Sequence, residues 1–144
     1  MAIKQIAIHE AATVCRVPFY SSKIQAGFPS PADDYMDRKL DLNELLIKHP
    51  AATYYCQVNG DSMTGVGIYD GDILVVDRAV KPVHGDVVVA VVDGEFACKI
   101  LDTHKQQLLS ANITYPPIAI REGTDFMVEG VVTSSIRRHR CLPL

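Results

Sequence analysis

This 144-residue chain has no tryptophan and no long apolar run. A membrane-crossing helix needs roughly 18 consecutive apolar residues, so no membrane span is expected. The opening stretch carries His9, Glu10, Arg16 and Lys23 where a secretory signal needs an unbroken apolar core. Excess positive charge is missing as well: the formal charge is −3 and the pI is about 5.9. A chain of that balance lacks the basic face that grips a nucleic-acid backbone, which argues against direct sequence-specific DNA binding. Four cysteines, Cys15, Cys56, Cys98 and Cys141, are separated by 41, 42 and 43 residues and form no Cys-x-x-Cys pair. Metal-site spacing is therefore lacking, and buried free thiols are expected for Cys56 and Cys98. No glycine-rich loop precedes a Lys-Ser or Lys-Thr, and Asp33, Asp34, Asp37 and Asp41 lack the glycine and spacing of a calcium loop. No cofactor and no metal are expected, and a reducing cytoplasm suits the composition.

What is present suffices for one domain with a real core, since a chain of this length buries roughly two-thirds or more of its unfolded surface. Residues 1–40 read as an arm. Ile3, Ile6 and Ile8 alternate loosely, and Val14 to Val17 form a short apolar patch ended by Pro18. Gly27-Phe28-Pro29-Ser30-Pro31 is incompatible with helix, because each proline lacks an N–H and biases its predecessor toward extended geometry. Residues 41–144 read as the domain proper. Asp41 is placed to cap a short helix over 41–49, with Glu44 three positions on and Leu42, Leu45 and Leu46 on one face. Pro50 ends it. Strands are expected over 53–58, 72–77, 86–92, 95–101 and 126–132. Asp93-Gly94 joins two of them with the chemistry of a two-residue type I′ hairpin. Strands do not alternate with long helices, so the expected fold is mainly β and antiparallel, with one short helix and a mobile N-terminal arm. The C-terminal run Arg137-Arg138-His139-Arg140 reads as a solvated tail.

One constellation carries chemistry. Ser62 stands in Gly60-Asp61-Ser62-Met63, where glycine permits a tight turn and the N–H groups of Asp61 and Ser62 can face a developing oxyanion. A serine in such a turn is usually a turn residue and nothing more. Lys99 lies 37 positions later, between Ala97 and Leu101 on one face of a strand. An edge lysine snorkelling to solvent is the ordinary explanation of such a position. The alternative is a general base. An ordinary lysine has a pKa near 10.4, and desolvation among apolar residues lowers it, so that a neutral amine can take the serine proton. Ser-Lys versions of the serine triad exist on this principle. A Ser62–His84–Asp86 triad is a weaker alternative, because Asp86 is too near in sequence to orient His84. Ala26-Gly27, two small residues in a Pro- and Ser-rich arm, is a candidate for a bond that the chain cuts in itself.

Several separated segments agree in order and spacing with one family. They are Ala26 to Pro31, Asp41-Leu42-Asn43 with Leu45-Leu46-Ile47, Gly60-Asp61-Ser62-Met63, Asp70-Gly71-Asp72, His84-Gly85-Asp86, and Val92 to Phe96 through Lys99. Over residues 18–133 the chain resembles the UmuD and MucA group of the S24 peptidase family, accessory subunits of SOS-mutagenic DNA polymerase V, and more distantly LexA and phage repressors. That resemblance implies a LexA- and signal-peptidase-like antiparallel β domain, homodimers, Ser62 as nucleophile, Lys99 as general base and Ala26–Gly27 as the cleaved bond. It also implies stimulation by a RecA filament on single-stranded DNA, followed by partnership with a UmuC-like Y-family polymerase subunit. UmuD has cysteine where this chain has Ala26; LexA-type repressors cut Ala-Gly, so small residues serve either way. The stretch from Met1 to Ala26 that precedes the bond is too short for a helix-turn-helix domain. Two other readings compete: a peptidase acting on other proteins, and a non-enzymatic polymerase-binding module whose dyad is idle.

Overall fold

The structure is a computed structural model that describes residues 1–8, 14–20 and 36–140. The bond Ala26–Gly27 lies outside the described residues, as does Cys141. The strands are β1 (Ala2–Ile8), β2 (Val17–Tyr20), β3 (Met36–Leu40), β4 (Thr53–Asn59), β5 (Ile73–Asp77), β6 (Val87–Val92), β7 (Glu95–Asp102), β8 (Gln107–Leu109), β9 (Ile118–Ala119) and β10 (Phe126–Ile136). One helix, α1 (Leu42–Leu46), stands between β3 and β4. The expectation of a mainly β, antiparallel domain with a single short helix holds. Eight strands form one sheet in the order β1-β4-β5-β10-β6-β7-β8-β9, and β1 pairs also with β7, so the sheet curls back on itself. β2 and β3 form a separate ribbon, from Val17 opposite Leu40 to Tyr20 opposite Met36. Among the described residues no helix is long and apolar enough to cross a membrane.

Local chemistry accounts for the hairpins. Asp93 and Gly94 take φ values of +48° and +85°, the double positive pair that a type I′ turn demands. The turn pairs β6 with β7 from Val92–Glu95 back to Val87–Ile100. The β6 run Val-Val-Val-Ala-Val-Val shows no alternation because both of its faces are covered. Val89 joins a core with Tyr54, Cys56, Val58, Leu74, Val76 and Cys98, whereas Val88 and Ala90 join a second core with Leu101, Leu108 and Val131. Leu74 is fully buried in the first. Leu74→Ala is expected to cost about 2–5 kcal/mol through lost transfer energy plus an unfilled cavity, read as a lowered denaturant midpoint. Burial pushes the Cys56 thiol up to about 12, with a further rise from Cys98, and burial pushes Cys98 up to about 11. Both are inert, free thiols as expected.

Three local expectations are corrected. The helix spans Leu42–Leu46, not 41–49; Asp41 does cap it, its carboxylate accepting from the Asn43 N–H at 2.8 Å. Glu44 does not close a capping box but faces Arg16 at 3.3 Å, an exposed pair of little energetic weight. Leu42 and Leu45 are exposed; Ile47 is the buried residue there. The basic C-terminal run is not wholly solvated. Arg137 makes a two-pronged contact with buried Asp72, at 2.8 and 2.7 Å, and lies over the Tyr69 ring. Burial would raise the Asp72 pKa, but the Arg137 hydrogen bond and the Tyr69 N–H together hold it below the usual carboxylate range. Finally, residues 2–8, read as part of an arm, run as a strand inside the main sheet. The loose Ile3, Ile6, Ile8 alternation was strand signal, and the facing edge of β4 supplied its partner.

Candidate active site

The turn between β4 and β5 places Ser62. Gly60 adopts φ +94°, a left-handed conformation costly for any residue with a Cβ, and its N–H is held by the Asp70 carboxylate at 2.8 Å. The neighbouring residue Asp61 is gripped from a second loop. Its carbonyl accepts from Asn112 Nδ2 at 2.9 Å, and its carboxylate accepts from the Tyr115 hydroxyl. Gly65, just beyond, donates its N–H to the Ala111 carbonyl at 2.7 Å. The turn that carries the serine is thus fastened to residues 111–115 by three separate contacts.

Lys99 comes from the middle of β7, paired with Val88 of β6 and flanked by the buried residues Cys98 and Leu101. It is not an edge lysine: only 6% of its surface is exposed, and Ser62 is 1% exposed. Lys99 Nζ donates to Ser62 Oγ at 3.1 Å and to Ser110 Oγ at 2.7 Å. It also lies 5.5 Å from the centre of the Tyr115 ring. Ser110 reaches it because the β7–β8 hairpin, with Ile100 opposite Leu109, ends directly beside Lys99. A buried amine within hydrogen-bond distance of a buried serine hydroxyl is the geometry of proton transfer from nucleophile to base. Ser110 holds the amine from its other side.

The structure therefore brings Ser62, Lys99 and Asp61 to one place. Ser110, Asn112 and Tyr115 are the residues that sequence inspection missed. They sit in a polar stretch after a short strand, and only the pairing of β8 with β7 delivers them to the site. A further contact was also unforeseen: the amino group of Met1 donates to Ser62 Oγ. Burial, and then the hydrogen bond and charge of Lys99, lower that amine to about 5.

The histidine alternative is not realised. His84 stacks on His104 with ring centres 3.8 Å apart and has its Nδ1 3.5 Å from Asp102. Asp86 instead accepts the Val83 N–H at 2.9 Å, closing a turn. His84, Asp102 and His104 bring ligand-type atoms within 4.8 Å of one another. The Asp102 carboxylate, however, already accepts from the N–H groups of His104 and Lys105 and from Gln107 Nε2, which ties off the β7–β8 turn.

The description Peptidase S24-like matches residues 18–133. Protein ImpA of Salmonella typhimurium is 44% identical over 123 residues, covering 85% of this chain and 85% of that protein. Protein MucA of Escherichia coli is 41% identical over 131 residues, 90% of each chain. The LexA repressor of Xylella fastidiosa is 36% identical over 129 residues, which is 88% of this chain and 60% of the repressor. A match over most of the chain, a mainly antiparallel β fold and a buried Ser-Lys pair converge: the chain belongs to the S24-like family of serine peptidases, with MucA and ImpA among its relatives.

Proposed function

We propose that this protein is a self-cleaving serine peptidase that cuts its own Ala26–Gly27 bond, using Ser62 as nucleophile and Lys99 as general base. The 3.1 Å contact between Lys99 Nζ and Ser62 Oγ, with both groups buried, is the observation that carries it. Lys99 as a neutral amine takes the Ser62 proton while Oγ attacks the Ala26 carbonyl. The N–H groups of Asp61 and Ser62 receive the oxyanion, and the fastening of Asp61 to Asn112 and Tyr115 supports such preorganisation. Lys99 then returns the proton to the Gly27 nitrogen as the Ala26–Gly27 bond breaks, leaving residues 1–26 esterified through Ala26 to Ser62. Water resolves the acyl-enzyme and frees residues 1–26.

The family relationship supports a regulatory purpose for the cut. In this proposal a RecA filament on single-stranded DNA stimulates it in the cytoplasm, during the SOS response. The shortened homodimer then serves a UmuC-like polymerase subunit in translesion synthesis. Residues 1–40, whose first strand is seated in the main sheet, carry the cleavage site, and residues 41–144 act as the peptidase-like domain. Removing the segment from Met1 to Ala26 changes which surface is exposed and hence which partner binds.

The test is intact-mass spectrometry after incubation with RecA, single-stranded DNA and a nucleoside triphosphate. A species beginning at Gly27, absent for Ser62→Ala, is the expected result. An unchanged mass, also after alkaline incubation without RecA, would point to an idle dyad.

A further inference from the structure

Strand β1 does more than extend the sheet. Ala2 stands opposite Asn59 of β4 and also opposite Ala97 of β7, so the start of β1 fills the gap between these two strands. The Cys98 N–H donates to the Met1 carbonyl at 2.8 Å, on the residue just before Lys99. Met1 is buried in the core with Val58, Met63 and Cys98, and Ile3 packs against the same cluster. The chain thus enters the site as an extended strand with main-chain pairing on both sides, the manner in which a peptide is bound by strand addition.

Its first atoms occupy the place where chemistry must happen. A serine hydroxyl has two acceptor lone pairs. The Met1 amine and Lys99 Nζ both donate to Ser62 Oγ, so both pairs are engaged. An attacked carbonyl carbon must come within about 3–3.5 Å of that oxygen, where the amine of Met1 already lies. Because that amine is held near 5, it is uncharged at neutral pH.

We propose that the groove between β4 and β7 is an extended-peptide site whose resident occupant is the chain's own β1, and that β1 must be displaced before a carbonyl reaches Ser62. This rests on the self-cleavage reading and deepens it. The scissile segment and β1 compete for one groove, so the resting protein is occluded. Whatever stimulates cleavage acts by freeing β1 rather than by altering the dyad.

Ala2 and Asn59 are directly opposed across the strand pair and neither belongs to the dyad, so the pair can be cross-linked reversibly. The full-length Ala2→Cys/Asn59→Cys protein is compared oxidised and reduced. Two quantities are read by intact mass: formation of the Gly27 species with RecA and single-stranded DNA, and modification of Ser62 by a small fluorophosphonate. Oxidation is expected to slow both at least tenfold, with full recovery on reduction. Equal rates of cleavage in the two forms overturn the occlusion and leave the self-cleavage reading standing. Suppressed Ser62 modification with no cleavage in either form upholds the occlusion and removes the self-cleavage reading instead. Absence of Ser62 modification in both forms overturns both. Ile3→Asp gives the reverse perturbation: loosening β1 is expected to speed Ser62 modification about tenfold, the worth of losing one partly buried aliphatic contact, and an unchanged rate counts against the proposal.

Discussion

Ser62→Ala and Lys99→Ala are each expected to abolish the Gly27 species while leaving the denaturation midpoint within the range of a modest core substitution. The size follows from the geometry. In the proposed mechanism Ser62 supplies the attacking oxygen, and Lys99 is the amine in contact with it, at 3.1 Å. Residues that act as one unit are non-additive, so removing either is expected to cost about 10⁴-fold or more. The double variant is expected to be no slower than the worse single one. Lys99→Ala alone is expected to regain part of its rate at high pH, where hydroxide can take the serine proton; Ser62→Ala cannot be rescued so. The fold should survive both changes, since Ser110 Oγ remains to accept from Lys99 in the serine variant and the sheet pairing of β7 is carried by its backbone. Rates measured by mass spectrometry at several pH values check all of this. Cleavage persisting in Ser62→Ala would remove the serine from the mechanism, and a native rate for Lys99→Ala at pH 7 would remove the lysine.

Gly65→Ala is expected to lower the cleavage rate about 10²-fold although Gly65 touches neither Ser62 Oγ nor Lys99 Nζ. A Cβ at this position would stand 2.5 Å from the Ala111 carbonyl oxygen and 3.2 Å from its carbon. Both are backbone atoms, so a rotamer change offers no relief and the loop itself must move. Ala111 lies between Ser110, which accepts from Lys99, and Asn112, which holds the Asp61 carbonyl. Pushing Ala111 away therefore loosens the base and the serine turn together. A displacement of about 1 Å in a catalytic constellation is worth roughly that factor in rate. The check is the cleavage rate with the unfolding midpoint beside it: a slow but stable variant is expected, and one that cleaves at the native rate would show that the 111–115 loop does not position the site.

Much of this molecule was legible because its signals are local. Asp93-Gly94 demanded positive φ at two adjacent residues and received it. The strands over 53–58, 86–92 and 95–101 were marked by β-branched and apolar runs, and the observed β4, β6 and β7 differ by a residue at most at each end. The Asp41 cap followed from side-chain chemistry within one turn. Misreadings arose where a residue's surroundings come from far away. Arg137 looked like a solvated tail because nothing near it in sequence reveals Asp72, its partner 65 positions back. Helical spacing puts Leu42 and Leu45 on one side but does not say whether any element covers that side, and both are exposed.

The order of residues carries the chemistry on offer and the local geometry: a serine in a Gly-Asp turn, a lysine in an apolar strand, small residues at Ala26-Gly27, and runs suited to β structure. The tertiary structure decided what meets what. Pairing of β6, β7 and β8 sets the register that presents Lys99 to Ser62 and brings Ser110 to its other side, and the placement of β1 between β4 and β7 puts Met1 against Ser62. These contacts are closed by backbone pairing over separations of 37 and 61 residues. Spacing along a chain carries no record of such meetings, because each depends on which strands become neighbours once the whole sheet has curled.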